Sequence, residues 1–224
     1  MRGVVPAGIL VALLVASPEA GADEVASAPP RPTLGLDLRV SLQATWVSAL
    51  PGAPLQSHYP FRAPTPWAPK SDSAFGFGGG VDFLETWGHL LVPVGGVEML
   101  FLYPPTVDLG GGAALHATSF TMVALLPGLG IRSTPGAWGV DATIQPALWI
   151  IGERGTVEGD GKSADASDAP ALRLMARAHV EVCHWFGGQA GSMLKPHVCA
   201  FVAPSVSAVD PVVAVSVGIT GGMF

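Results

Sequence analysis

From residue 172 to 183 hydrophobic and polar positions alternate along the chain. Leu172, Leu174, Ala176, Ala178, Val180 and Val182 hold the even positions; Arg173, Met175, Arg177, His179, Glu181 and Cys183 hold the odd ones. A period of two puts these sets on opposite faces of a β-strand. After a Gly-rich interval at 187–192 the pattern resumes, with Pro196, Val198, Ala200, Val202, Pro204 and Val206 opposed to Lys195, His197, Cys199, Ser205 and Ser207. The two runs predict a long hairpin with one apolar and one charged wall. At 34–48, Leu34, Leu36, Leu38, Val40, Leu42, Ala44 and Trp46 oppose Asp37, Arg39, Ser41, Gln43 and Thr45. The alternation recurs at 73–87 around Asp82, at 89–103 around Glu98, more weakly at 114–132, at 139–151 around Asp141, and at 211–224. Eight strands follow, and residues 34–224 are expected to form one all-β domain.

The segments run to about 12–16 residues. Soluble strands average about five or six, whereas a strand crossing a bilayer needs about 9–11. Their connections alternate in size. Those at 49–72 (with six prolines), 104–113 and 152–171 are long; those near 88, 133–137 and 188–192 are short. Only the last, near Asp210-Pro211, departs from the rule by being short.

Composition decides which wall is wet. Charged residues make up 12% of the chain and mean hydropathy is +0.46. Yet past the N-terminal segment no run of about 18 apolar residues exists to form a spanning helix. The best stretch, 90–103, is broken by Pro93, Gly95, Gly96 and Glu98. A chain this apolar without such a helix crosses a membrane with strands. At the N-terminus, Arg2, an apolar 9–16 and Ala20-Gly21-Ala22 predict a secretory signal over 1–22, followed by a disordered leader at 23–33. A net charge of −6 argues against nucleic acid as a partner, which needs basic patches.

An even strand number, short turns on one side, long loops on the other and a terminal Phe224 make residues 34–224 resemble the small eight-stranded outer-membrane β-barrels of Gram-negative bacteria. The resemblance implies an antiparallel up-and-down transmembrane barrel in the outer membrane, both termini periplasmic. It also implies recognition of the last strand, through Phe224, by the barrel-assembly machinery. Phe224 shares parity with Gly222, Thr220, Gly218 and Ser216 rather than with the apolar set, so a bulge or fraying is expected at Gly221-Gly222. Trp46, Trp87, Trp138 and Trp185 fall near strand ends, as interfacial girdles require. Pro93, Pro146, Pro196 and Pro204 each delete a ladder donor and call for bulges or strand segments beyond the bilayer. A soluble periplasmic barrel binding an apolar ligand would show the same alternation with the faces reversed.

With the apolar wall against lipid, the lining comprises Asp37, Arg39, Asp82, Glu98, Asp141, Arg173, Arg177, His179, Glu181, Lys195 and His197. Eight strands leave an interior just wide enough for side chains, so this set is expected to pair into a plug; a narrow ion or proton path is the alternative. Cys183 and Cys199 share the inward face of neighbouring strands, and an oxidising compartment favours a disulfide. A metal site built from both cysteines, His197 and His179 is the competing reading. A rim site for lipid modification would draw on His116 and Ser119, but a spacing of three puts them on opposite faces. No catalytic residue or cofactor is assigned. The expected role is structural, or binding of an unidentified partner through 49–72 and 152–171.

Overall fold

The computed structural model describes residues 34–49, 73–103, 107–110, 113–133, 137–159, 162–186, 196–207 and 212–223. They form β1 (Leu34–Ala49), β2 (Ser73–Trp87), β3 (Leu90–Tyr103), β4 (Val107–Gly110), β5 (Ala113–Leu125), β6 (Leu129–Arg132), β7 (Trp138–Gly159), β8 (Lys162–Trp185), β9 (Pro196–Ser207) and β10 (Val212–Met223). All pairings are antiparallel, and β1 pairs with β10 from Leu38↔Met223 to Ala49↔Val212. The sheet therefore closes on itself. β5 and β6 share one stave, both lying between β3 and β7. The wall is an up-and-down barrel of eight staves. β4 folds back on the start of β5.

The apolar wall faces outward. On β1, Leu36, Leu38, Val40 and Leu42 are exposed while Asp37, Arg39, Ser41 and Gln43 are buried. Glu98, Asp141, Arg177, Glu181 and His197 are likewise buried inside, and Met99, Phe101, Ile144, Val182 and Val198 are exposed outside. This orientation is opposite to that of a soluble barrel with a solvated charged surface.

Two aromatic rows bound the apolar band. Trp46 pairs with Phe75, and Phe75 with Tyr103, across β1, β2 and β3 near the rim of the long connections. Trp87, Trp138 and Phe186 are exposed near the other rim, where β1 begins and β10 ends. From Phe75 to Trp87 the strand advances about 40 Å at roughly 3.3 Å per residue. At a tilt of about 40° this spans about 30 Å along the axis, the thickness of a bilayer's hydrocarbon core. Trp185 is not part of either row: it is buried on the inward parity of Cys183. Proximity to a strand end outweighed parity in the sequence-based expectation, and parity is the physical determinant.

Three segments differ from the sequence-based expectation. The strand over 114–132 is interrupted at 126–128. The loop at 104–113 contains β4. The polar stretch 152–171 continues the ladder of β7 and β8, from Glu153↔Asp168 to Gly159↔Lys162, after an irregularity between Ile151 and Glu153. Strands standing beyond the apolar band need no apolar face, so alternation vanishes there although the ladder persists.

The prolines sit where ladders lapse. Pro93 lies at a register shift opposite Leu84, and its carbonyl accepts the Gly128 N–H at 3.0 Å. The Pro146 carbonyl accepts the Leu126 N–H at 3.0 Å. Within a strand a residue's N–H and C=O point to the same neighbour, so both missing donors face the 126–128 interruption. Around Pro204 the β8–β9 ladder skips Ala178 and His179. Pro196 opens β9, a position that tolerates proline.

Candidate functional site

The lumen holds two layers of different chemistry. Toward the terminal rim lies an ionic layer built on β1, β6, β7, β8 and β9. Arg39 is its centre: its Nε donates to Asp37 Oδ2 at 2.8 Å, its Nη1 donates to Glu181 Oε1, and its Nη2 lies 3.7 Å from Asp141 Oδ2. Arg132 grips the same Asp141, with Nε and Nη2 donating to Oδ2 at 3.1 and 2.9 Å. His179 Nε2 lies 3.4 Å from Glu181 Oε2. His197 Nε2 lies 3.3 Å from Asp37 Oδ2, outside hydrogen-bonding geometry, and its ring stacks on Trp185 at 4.2 Å. The Arg132 guanidinium in turn lies over the Trp185 ring, 5.2 Å from its centroid.

A second ion pair stands beside this layer. Arg177 Nη1 donates to Glu98 Oε2 at 2.6 Å, and Gln43 Nε2 donates to the same oxygen at 2.9 Å. Between the two groups is a cavity of about 20 Å³ lined by Arg39, Asp82, Glu98, Arg177 and His179, among others. That is room for about one water molecule.

The other half of the lumen is mainly apolar, with buried hydroxyls of Thr45, Ser119, Thr121, Ser207 and Ser216 among the apolar side chains. Leu100, Leu102, Val123, Leu125, Ala147, Trp149, Ile151 and Met175 form one buried cluster with Val47, Ala74, Val212 and Ala214. Arg173, paired with Trp149 across the β7–β8 ladder, reaches this half and is half-buried.

The lining residues expected from sequence thus fall into distinct places. Asp37, Arg39, Asp141, Glu181, His179 and His197 meet in the ionic layer; Glu98 and Arg177 form the adjoining pair; Asp82 lines the cavity; Arg173 lies apart; and Lys195 is outside the described residues, as is Phe224. Sequence reasoning missed Arg132 and the inward Trp185. Arg132 follows the break at 126–128, which disrupts the count of alternation across 114–132. Trp185 had a readable signal, its shared parity with Cys183.

Gly222 explains the odd parity of the last strand. A Cβ there would lie 2.6 Å from His197 Nε2 and 2.9 Å from Asp37 Oδ1. The glycine makes room for the His197 ring inside the barrel, and β10 pairs without a bulge through Gly221 and Gly222.

Cys183 and Cys199 face each other across the β8–β9 ladder and are joined by a disulfide. Glu181 is close enough to share a metal with both sulfurs, but ligation needs thiolates, and here the sulfurs are bonded to one another. His116 is exposed and lies 3.9 Å from Glu158, whereas Ser119 is fully buried and contacts Thr121. The two are not assembled as a nucleophile and its base.

No family model matches the chain, and no curated protein matches it. Solved structures similar to it include two from bacteria. The neisserial surface protein NspA shares 9% identity at a TM-score of 0.37, over 84% of this chain and 95% of its own. Ail, the attachment invasion locus protein of Yersinia pestis, shares 10% identity at a TM-score of 0.41, over 84% of this chain and 97% of its own. The barrel architecture stands on the chain's own strand pairing.

Proposed function

We propose that the protein is an integral outer-membrane β-barrel with a closed lumen, serving as a structural element or as a platform for binding through the parts beyond the apolar band. The observation that carries this reading is the inversion of its two walls. Large apolar side chains are exposed all around the barrel while acids and arginines are buried within it. Soluble monomers rarely expose a contiguous apolar patch of more than a few hundred Å², and here the whole circumference is apolar. Aromatic rows about 30 Å apart match a bilayer's two interfaces.

Closure of the lumen is supported by both of its layers. The ionic layer leaves space for about one water, and beyond it the large side chains of the apolar cluster fill an interior that eight strands make only wide enough for side chains. Binding is assigned to segments 49–72 and 152–171, with the partner unspecified. In this reading the termini are periplasmic, and the assembly machinery takes hold of β10 and Phe224.

Membrane fractionation tests the reading. The protein is expected in the detergent-extracted envelope fraction, with gel mobility that shifts on boiling. Recovery from the periplasm without detergent would sink it.

A further inference from the structure

The outward surface carries an apolar groove on β6, β7 and β8. Ala142 and Ala178 line it with short side chains, and Leu129, Ile131, Ile144 and Val180 border it. Leu129, Ile131 and Ile144 are each about two-thirds exposed. Among the described residues that line it, Thr143 alone brings a polar side chain, and none brings a charge.

The groove lies against an interruption in the wall. At 126–128 the stave shared by β5 and β6 is interrupted, and the donors absent from Pro93 and Pro146 face this point. Directly inside is the water-sized cavity with Arg39, Glu98 and Arg177, and Thr143 lines both the cavity and the groove. Little protein therefore separates buried charge from the surrounding medium, and the groove thins that layer further. Gly130 contributes, because a Cβ there would meet Thr143 Cγ2 at 2.5 Å; its absence lets β6 lie flush on β7.

We propose that this groove holds one acyl chain of a membrane phospholipid, which completes the wall over the interruption. The inference rests on the outer-membrane reading. A hydrocarbon chain fits because the groove is continuous with the apolar band and offers almost no hydrogen-bonding group. A second copy adding a strand would need an open edge, and this wall is closed.

Photolabelling tests it. The full-length protein is refolded into phosphatidylcholine vesicles carrying a diazirine near the middle of an acyl chain, irradiated, and mapped by peptide mass spectrometry. Adducts are expected to concentrate several-fold at Leu129, Ile131, Ile144 and Val180 over Leu36, Val40, Met99 and Ile219, whose exposure of about half is too close to that of the groove residues to give such a difference by itself. They are expected to fall to the level of those residues when Ala142→Phe and Ala178→Phe fill the groove. Even labelling around the barrel would overturn the groove while leaving the membrane reading intact; no labelling of any band residue would overturn both. Enrichment that survives the filled groove, or a covalent dimer through these positions, also excludes the lipid assignment. Should the filled variant fail to fold, the wild-type distribution alone decides.

Discussion

At the scale of single residues, the barrel's interior is governed by the cost of an unpaired buried charge. Arg177 and Glu98 are both buried and bonded at 2.6 Å. Removing one partner of such a pair costs about 3–5 kcal/mol, whereas replacing both with apolar groups is often neutral. Arg177→Met is therefore expected to lower unfolding stability by about that amount, and Arg177→Met with Glu98→Leu to recover most of the loss. Urea titration in lipid vesicles, followed by tryptophan fluorescence, measures both. Gly222→Val is a different case, since it overfills a packed site at His197 and Asp37. It is expected to cost about 1–3 kcal/mol in the same titration. A loss no larger than that of Gly221→Val, where a Cβ meets nothing, would show that the His197 packing is unimportant. Much of this chemistry was legible, because parity alone assigns Asp37, Arg39, Glu98, Asp141, Arg177 and Glu181 to one side. What parity cannot give is who meets whom. The convergence of Arg39, from the first strand, with Glu181, from the eighth, depends on the curvature of the whole wall.

Among the elements, β8 and β9 alone are joined covalently as well as by their ladder. Their disulfide spans 16 residues in sequence, and cross-linking a loop of that size stabilises by about 3 kcal/mol in the chain-entropy account. Replacing both cysteines with alanine is expected to lower stability by about 2–4 kcal/mol. Equal unfolding midpoints for the variant and the unreduced wild type would refute this. The strands within the apolar band were readable because lipid on one side and side chains on the other impose a strict period of two. Where that constraint ends, so does the signal. The outer ladder of β7 and β8, from Glu153↔Asp168 to Gly159↔Lys162, lies beyond it and has the composition of a loop. The interruption at 126–128 was obscure for another reason: its partners are prolines on other staves, Pro93 and Pro146, and no local pattern links them.

For the whole molecule, the closed lumen proposed above rests on two unlike layers. The ionic layer is bonded side chain to side chain, and the apolar cluster around Trp149 and Met175 occupies the other half. Purified protein in planar bilayers is accordingly expected to give no stable conductance, and reproducible discrete openings would overturn the closed lumen. The layering also bears on how the barrel comes to be built correctly. Arg39 enters with the first strand, and its partner Glu181 lies 142 residues later. The β1–β10 seam is what brings the two ends of the chain together. A seam joined two residues out of step would preserve every inward and outward face, so alternation alone does not reject it. It would, however, shift Arg39 along the axis away from Glu181 and Asp141, which lie on distant strands, and breaking a buried ion pair costs several kcal/mol. The salt-bridge cluster thus favours one register of closure among several that the greasy exterior would accept equally well.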